Sequence, residues 1–492
     1  MRKTMADHII AIDQSTQSTK ALLFDRQGRI RLRVDRPHRQ IIDERGYVEH
    51  DPEEIWQNVL ALIPELLQKS GVSPEEIRAV GISNQRETAV MWDRVTGKPV
   101  YNAVVWQCAR GAAICDGLED HAETVQQKTG LKLSPYFSAA KLSWILQNVP
   151  GIKERAKQGE ICCGTMDSYL LYRLTGGKEF RTDVSNASRT QLFNIHTLKW
   201  DEELLSLFGI PACCMAKVTD SDGLFGSTDF DGALPHPVPI RCVMGDSHAA
   251  LFAQGCLTEG MLKVGYGTGS SIMMNIGEKP ILSRRGIVTS LAWKLKNRVN
   301  YILEGNVNYS GAIVTWLKDQ AGLLTTSAES EELARRANPH DRTYLVPAFS
   351  GLGAPYWRSD VSAAFIGMSR ATGRAEMVKA GLEAIAYQIT DIVQLMQQEA
   401  NIPEIELRVD GGPSRNSWLM QFQSDMLKSP VLVPDAEELS CVGVAYAAGI
   451  ALGMYKDSIF ENNRYFRYEP GMDEETRRQK HAGWKEAVRR IL

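Results

Sequence analysis

The sequence lacks the features that mark membrane, secreted and nucleic-acid-binding proteins. No apolar run approaches the roughly 18 residues that a membrane helix needs. No long apolar segment follows the basic residues near Met1, so we expect neither membrane insertion nor a signal peptide. Charge of one sign is not in excess, with 56 Lys and Arg against 59 Asp and Glu. A basic excess would mark a general nucleic-acid binder, so that class is excluded.

Cysteine is sparse, and its spacing contains no metal motif. The nine cysteines include no C-x-x-C and no His/Cys spacing typical of zinc. Reduced, buried thiols in a cytoplasmic protein are therefore expected, with a redox role as the alternative. The remaining composition, 43% hydrophobic and 23% charged, is that of a globular protein, and 492 residues predict two large domains or three small ones.

The first 85 residues predict a mixed α/β unit. Apolar segments at 8–13 and 20–25, and a third from Arg29, predict strands joined by short loops, which form an antiparallel meander. A helix follows from Asp51 to Gly71, since Asp can cap its start and Gly its end. The segment 77–83 then predicts another buried strand.

A similar beginning recurs in the second half of the chain. Residues 261–265 predict a strand, 266–271 a loop of small residues, and 272–276 another strand. Two such units indicate two domains of related fold, which we place at 1–255 and 256–492.

Both loops suit a phosphate site. Asp13 ends a buried strand before a loop of Ser and Thr, and an acid there can hold Mg²⁺. Small residues in 266–271 let the backbone approach a phosphate closely. Each loop taken alone equally fits an ordinary turn.

Three further strand ends carry candidate residues. The strand 407–412 ends in D-G-G, which would expose backbone to a flat ligand such as adenosine, or form a tight turn. Asp246 follows an apolar strand and could be a general base or a helix cap. His248 is best interpreted as a pocket or structural group. The segment 84–87 contains adjacent Arg and Glu, which could bind a hydroxylated ligand or form a surface ion pair.

Taken together, these sites indicate an ATP-dependent transferase, and the chain resembles a known family. It is similar to the FGGY carbohydrate kinases, and among them most to glycerol kinases, along nearly its whole length. Residues 136–148 fit the first signature of that family. The other matching stretches are GYVEHDPEEIW (46–56), GISNQRET (81–88), YNAVVWQC (101–108), NASRTQLFNIHTL (186–198), YGTG (266–269), VPAFSGLGAPYW (346–357) and LRVDGG (407–412).

The resemblance implies an α/β fold of two ribonuclease-H-like domains, of the actin/hexokinase type, that flank a cleft for nucleotide and substrate. It implies ATP as donor, Mg²⁺ held at Asp13 and Asp246, and Asp246 as general base. By similarity, the acceptor would be bound by Arg86, Glu87, Trp106, Tyr136, Asp246, Ser247 and Ser271. The nucleotide would be bound by Thr16, Gln17, Ser18, Lys20, Thr268, Gly311, Thr315, Gly412 and Asn416.

The chain departs from the family pattern at five of these positions or their neighbours. Ser15 stands where the family has glycine, and Lys20 where it has arginine. Ser247 and His248 replace two glutamines after the general base, and Ser271 replaces an aromatic residue. Smaller side chains at Ser247 and Ser271 predict a roomier and more polar acceptor pocket.

We therefore predict phosphorylation of a small polyol or sugar larger or more polar than glycerol, such as a four- or five-carbon polyol or ketose. A true glycerol kinase making glycerol 3-phosphate is the first alternative. An ATP-binding regulator that has lost turnover is the second. The family resemblance also predicts a homodimer or homotetramer.

Overall fold

The computed structural model describes residues 7–358 and 360–492. Up to residue 255, the strands are β1 (His8–Gln14), β2 (Ser18–Phe24), β3 (Ile30–Pro37), β4 (Ile41–Ile42), β5 (Val48–His50), β6 (Ile77–Asn84), β7 (Ala89–Asp93), β8 (Ala103–Val104), β9 (Ile161–Thr165), β10 (Arg181–Asp183), β11 (Phe193–Asn194), β12 (Lys199–Trp200), β13 (Lys217–Thr219), β14 (Ser227–Thr228) and β15 (Val238–Gly245). The helices of this N-terminal half are α1 (Pro52–Ser70), α2 (Ala112–Asp116), α3 (Ala122–Thr129), α4 (Ser138–Asn148), α5 (Ile152–Lys157), α6 (Met166–Leu174), α7 (Val184–Ala187), α8 (Glu202–Leu207) and α9 (Asp246–Ala253).

The C-terminal half, from residue 256, repeats this mixture of strands and helices. Its strands are β16 (Met261–Tyr266), β17 (Ser270–Asn275), β18 (Val288–Leu295), β19 (Arg298–Val307), β20 (Tyr344–Val346), β21 (Ala364–Ile366), β22 (Glu406–Gly411), β23 (Val431–Pro434) and β24 (Tyr465–Tyr468). Its helices are α10 (Gly311–Asp319), α11 (Glu329–Arg336), α12 (Arg374–Ala400), α13 (Ser417–Leu427), α14 (Leu439–Ala451) and α15 (Glu474–Arg489). Short 3₁₀ turns occur at Pro74–Glu76, Glu119–His121, Ala212–Cys214, Gly412–Arg415 and Asp457–Asn462.

The two halves share one sheet topology. In the N-terminal sheet, strands β3, β2, β1, β6 and β15 are neighbours in that order. In the C-terminal sheet the corresponding order is β19, β17, β16, β22 and β23. The first three strands of each set pair antiparallel and the last three pair parallel. This is the repeated fold that the sequence predicted.

The first loop is shorter than predicted. Strand pairing between β1 and β2 continues to Gln14 and Thr19, so only residues 15–17 remain between the strands. Ser18 and Thr19 therefore lie in β2 together with Lys20, which was predicted there, because antiparallel hydrogen bonding extends the ladder to the limit of the turn.

Helix α1 forms where its end signals predict it. Asp51 accepts a hydrogen bond from Glu53 N, and Gly71 ends the helix with φ of 67°. Ile55, Val59 and Ile63 are fully buried on its inner face, which packs on the N-terminal sheet. The capping residues therefore determine the ends of α1, and its apolar stripe determines which face is buried.

Helix α14 of the C-terminal half packs on the N-terminal sheet. Val444 and Ala448 of this helix share a hydrophobic cluster with Ile9 and Leu22 of β1 and β2. A Cβ atom on Gly443 would lie 1.9 Å from the carbonyl oxygen of Ala249 in α9. The halves are therefore joined by a packed core.

A final property concerns helix length and polarity. Across residues 7–358 and 360–492, the structure contains no helix that is both long and apolar enough to cross a membrane.

Candidate active site

An open cleft of about 950 Å³ lies between the two halves. Residues of the segments 410–415 and 433–440 line it from the C-terminal half. Because these segments begin in the last residues of strands β22 and β23, the carboxyl ends of parallel strands face the cleft, as in other α/β folds. From the N-terminal half, the cleft is lined by Lys20, Asp246, Ser247 and Ala250.

The turn between β1 and β2 is closed by its own serine. Ser15 N and Ser15 Oγ both donate to the carbonyl oxygen of Ser18, at 3.0 and 2.9 Å. The Ser15 hydroxyl group thus forms its hydrogen bond within the turn itself. Thr16 and Ser18 are half-buried and Gln17 is exposed.

Asp13 is buried at the end of β1. Its Oδ1 accepts a hydrogen bond from Ser83 Oγ at 2.9 Å, and its Oδ2 lies 3.8 Å from Lys20 Nζ. Burial raises the pKa of Asp13 to about 7; Lys20 opposes this rise and the charge of Asp246 adds to it. A cation beside the carboxyl group would offset both the burial of its charge and the repulsion from Asp246.

Lys20 contacts an acid of the C-terminal half. Its Nζ lies 2.6 Å from Glu438 Oε2, and Arg33 Nη1 lies 2.5 Å from Glu438 Oε1. Glu438 immediately precedes α14 and has φ of 58°. The lysine predicted at the phosphates is therefore held between two carboxylates, one from each half.

Arg86 also joins the two halves. Its Nη1 and Nη2 donate to the two carboxylate oxygens of Glu304 in β19, at 3.0 and 3.2 Å. Its Nε lies 3.3 Å from Asp246 Oδ1. A bidentate contact fixes the plane of the guanidinium group, so Arg86 is a rigid donor next to the predicted base.

Arg189 and Glu304 complete a buried ion network. Arg189 Nε donates to Glu87 Oε1 at 2.5 Å, and its Nη1 lies 2.8 Å from Glu304 Oε2. Burial alone would raise the pKa of Glu304, but Arg189 and Arg86 lower it to about 2. Glu304 is therefore ionised at neutral pH.

The sequence interpretation missed Glu304 and Arg189. A signal was present, because Glu304 interrupts the apolar strand YIL-E-G and Arg189 lies within a family-like segment. A charged residue in a buried strand requires a partner. For the segment 84–87, the alternative of a surface ion pair is wrong, since Arg86 and Glu87 are both buried.

Trp106 and Tyr136 form an aromatic wall. Their ring centroids are 5.6 Å apart in an edge-to-face arrangement, and both residues are half-buried. Trp106 Nε1 donates to Thr16 Oγ1 at 3.0 Å, which links the wall to the first loop. Burial, with the charge of Glu87, raises the pKa of Tyr136, so its phenol is a neutral hydrogen-bonding group.

The second loop meets the start of α10. Ser310 N donates to Thr268 O and Gly311 N to Gly267 O, both at 2.9 Å. A Cβ on Gly311 would lie 2.6 Å from Gly267 O, so only glycine allows this approach. Thr315 lies one turn further on and is exposed, with its Oγ1 donating to Gly311 O at 3.2 Å.

Gly412 and Asn416 follow β22. Gly412 is exposed in the cleft. Asn416 Oδ1 caps α13 by accepting from Leu419 N at 3.0 Å, and its Nδ2 donates to Ser330 Oγ at 3.2 Å. The side chain of Asn416 thus already has partners within the fold.

Asp246 is the first residue of α9. The cap residue is Gly245, so the cap interpretation of Asp246 is wrong; its Oδ1 accepts from Ser247 N at 2.6 Å. The side chain is 31% exposed, and the start of a helix favours a negative charge there. Ser271 lies in β17, where its Oγ is 3.5 Å from Glu304 Oε1.

The carboxylates near the cleft fit a bound Mg²⁺. The charges of Asp246 and Glu438 both raise the pKa of Asp13, so a cation beside Asp13 would oppose that rise. Mg²⁺ prefers oxygen ligands and typically takes one or two carboxylates together with water and phosphate oxygens. In the described part of the chain, no group of three or more His, Cys, Asp or Glu side chains is arranged to hold a metal by itself.

Comparison with known proteins decides the family. Residues 8–253 match the N-terminal domain model of the FGGY family of carbohydrate kinases, and residues 262–452 match its C-terminal domain model. The chain belongs to the FGGY family of carbohydrate kinases. The predicted family, two-domain fold and ATP-dependent carbohydrate kinase activity are thereby confirmed.

This FGGY kinase is similar to glycerol kinases of several organisms. It is 49% identical to glycerol kinase 1 of Thermotoga maritima over 490 residues, 99% of each chain. It is 46% identical to the glycerol kinase of Carboxydothermus hydrogenoformans over 488 residues, 98% of each chain. The crystal structure of Plasmodium falciparum glycerol kinase with ADP matches it with a TM-score of 0.94 and 33% identity, covering 99% of this chain and 98% of that one.

Proposed function

We propose that this FGGY kinase transfers the γ-phosphoryl group of ATP to a hydroxyl group of a small polyol, with Asp246 as general base. The observation that carries the proposal is the position of Asp246, in the cleft at the start of α9 and 3.3 Å from Arg86. A carboxylate there would accept the hydroxyl proton as the bond to phosphorus forms.

The acceptor would be held on both sides of that carboxylate. Arg86 keeps N–H groups beyond those bonded to Glu304, and Glu87 is fixed by Arg189. Both would bind hydroxyl groups of a polyol. Trp106 and Tyr136 would provide the apolar wall against the carbon chain, with Ser247 and Ser271 nearby.

The nucleotide would occupy the cleft. Its phosphates would contact Thr16, Gln17, Ser18 and Lys20 on one side and Thr268, Gly311 and Thr315 on the other. Gly412 would lie beside the adenosine, with Asn416 as a positioning group. Asp13 and Asp246 would hold Mg²⁺, which neutralises phosphate charge when bound.

Glycerol is the acceptor that the relatives support best. The relatives at 46% and 49% identity are both named glycerol kinases, and they give no support to the predicted larger acceptor. That larger acceptor remains the second candidate, because Ser271 is a small polar residue at the buried network. The boundary at 255/256, the homo-oligomer and the cytoplasmic location stay predictions.

The variant Asp246→Asn tests the proposed base. We expect kcat with glycerol to fall by about 10²- to 10⁴-fold, while binding of MgATP, measured by calorimetry, changes little. Asp457→Asn is the matched control, since Asp457 is a surface acid that pairs with Lys296.

Two results would contradict the proposal. Near-normal turnover in Asp246→Asn would remove Asp246 from the chemistry. Tight ATP binding by the wild type without phosphorylation of glycerol, erythritol, threitol, xylitol, ribulose or xylulose would favour the ATP-binding regulator.

A further inference from the structure

Glu438 is an acid of the cleft wall whose two carboxylate oxygens are both paired. Its Oε2 accepts a hydrogen bond from Lys20 Nζ at 2.6 Å, and its Oε1 accepts one from Arg33 Nη1 at 2.5 Å. Both donors belong to the N-terminal half, on strands β2 and β3, whereas Glu438 immediately precedes α14 of the C-terminal half. The contact therefore ties the two halves together at the cleft.

The backbone of Glu438 has a conformation that is uncommon for a residue with a side chain. Its φ is 58° and its ψ is 41°, in the left-handed region, which costs free energy for most residues other than glycine. Glycine would fit this backbone better. A glutamate at such a position therefore indicates a role for its side chain, and that side chain binds Lys20.

Lys20 and Glu438 are both reachable from the cleft. Both line it, together with Asp246 and Gly412, and their side chains are 19% and 15% exposed. Burial alone would lower the pKa of Lys20, but the hydrogen bond to Glu438 and the charge of Asp13 raise it above its ordinary value. The Lys20 ammonium group is therefore charged at neutral pH and already has an anionic partner.

We propose that Glu438 is a latch: it pairs with Lys20 in the nucleotide-free enzyme and releases this lysine to the phosphates of the incoming nucleotide. The inference rests on the proposed function, in which Lys20 contacts those phosphates. A carboxylate 2.6 Å from Nζ neutralises the charge that a phosphate would meet, and it also repels the phosphate itself. Glu438 would thus lower the affinity of the cleft for nucleotide.

A lysine makes this competition stricter than an arginine would. The three N–H donors of Lys20 belong to one compact charge, so the hold on one anion weakens the hold on another. A guanidinium group has five donors spread over a planar fork. An arginine at this position could bind Glu438 and a phosphate oxygen at the same time, through different N–H groups.

The test measures the dissociation constant of MgATP by calorimetry in the wild type, Glu438→Gln, Lys20→Arg and the matched control Glu437→Gln. Glu437 is an exposed acid that lines the same cleft but pairs with Arg415. We expect the dissociation constant to fall by about three- to tenfold in Glu438→Gln, and to fall in Lys20→Arg as well. Glu437→Gln should stay within about twofold of the wild type.

A double-mutant cycle separates the latch from simple repulsion between Glu438 and phosphate. In the background of Lys20→Met, which removes the ammonium group, Glu438→Gln should improve MgATP binding by less than about twofold. The same gain in both backgrounds would overturn the inference.

Other results would also overturn it. Unchanged or weaker MgATP binding in Glu438→Gln would do so, as would an equal gain in Glu437→Gln. If Glu438→Gln does not fold, unchanged or weaker binding in Lys20→Arg decides against the latch, since that variant keeps Glu438 in place. Failure of the proposed function would look different, because MgATP would bind but no polyol would be phosphorylated.

Discussion

At the scale of single residues, the buried carboxyl group of Asp13 links the fold to the reaction. Its pKa of about 7, against an ordinary value of 3.8, reflects burial first and the charge of Asp246 in addition. The ionised form is needed for a bound cation but destabilises the cation-free protein. The ionised Asp13 carboxyl group therefore lowers the stability of the cation-free protein and at the same time provides a ligand for a metal ion.

The pH dependence of stability follows from the sign of this shift. A raised carboxyl pKa gives stability that is full below the unfolded value and is lost as pH rises through about 7. Asp13→Asn has no carboxyl group to ionise and so does not lose this stability. The free energy of unfolding of Asp13→Asn, relative to that of the wild type, should therefore rise by about 2 kcal/mol between pH 5.5 and pH 8.5. Urea unfolding with a chelator present measures it.

Asp435→Asn is the control for this prediction, since Asp435 is an exposed acid that lines the same cleft. Comparison with Asp435→Asn separates the effect of the buried carboxyl group from the effect of removing one charge at the cleft. A difference between Asp13→Asn and the wild type that is equal at the two pH values would contradict the buried-carboxyl interpretation.

The site could be predicted from the sequence only in part, and the reason differs from residue to residue. Asp13 and Asp246 are recognisable because each follows an apolar strand. Glu304 was missed because its partners, Arg86 and Arg189, lie more than 100 positions away in the chain. A single sequence contains no record of such contacts.

At the scale of helices and strands, the sequence predicted more of the structure than it did of the site, because capping residues and apolar patterns are local signals. Helix α1 formed between Asp51 and Gly71, and the meander of β1 to β3 appeared as expected. The close contact between α9 and α14 could not be predicted from the sequence. It depends on Gly443, and nothing in the sequence around this glycine indicates that another helix packs against it.

Gly443→Ala tests the importance of that contact. Its Cβ would lie 1.9 Å from the carbonyl oxygen of Ala249, and backbone atoms cannot move aside as a flexible side chain can. We expect a loss of about 3 kcal/mol in the free energy of unfolding, measured with urea. A lower kcat should accompany it, because α9 carries Asp246.

Gly117→Ala is the matched control, since the nearest atoms to its new Cβ would be 3.5 Å away. Equal behaviour of the two variants would show that α9 and α14 tolerate separation, and that their close packing has no consequence for the base.

At the scale of the whole molecule, the two halves also meet at the surface. Lys132 Nζ lies 3.7 Å from the ring centroid of Trp357, and this ring is 53% exposed. The contact joins a loop of the N-terminal half to a loop of the C-terminal half. Because it links the two halves, this contact favours arrangements that keep them together, as exclusion of water from the reaction requires.

Trp357→Ala should weaken closure modestly. An exposed cation–π contact contributes about 0.5–1 kcal/mol, so we expect the KM for the acceptor to rise about two- to fivefold, with kcat nearly unchanged. Steady-state kinetics with varied acceptor measures it. Trp357→Phe keeps an aromatic face, so its KM for the acceptor should lie between those of the wild type and Trp357→Ala. Identical KM values for all three proteins would rule out a role of Trp357 in closure.

The packing of α14 on the N-terminal sheet has a consequence for synthesis on the ribosome. Ile9 and Leu22 of that sheet share a hydrophobic cluster with residues of α14 (439–451), which leave the ribosome long after the sheet does. At roughly 5–20 residues per second, the roughly 180 residues between the end of the N-terminal half and α14 take about 10–40 seconds to emerge. During that time the nascent N-terminal half exposes an apolar sheet face, which is prone to aggregation until α14 covers it.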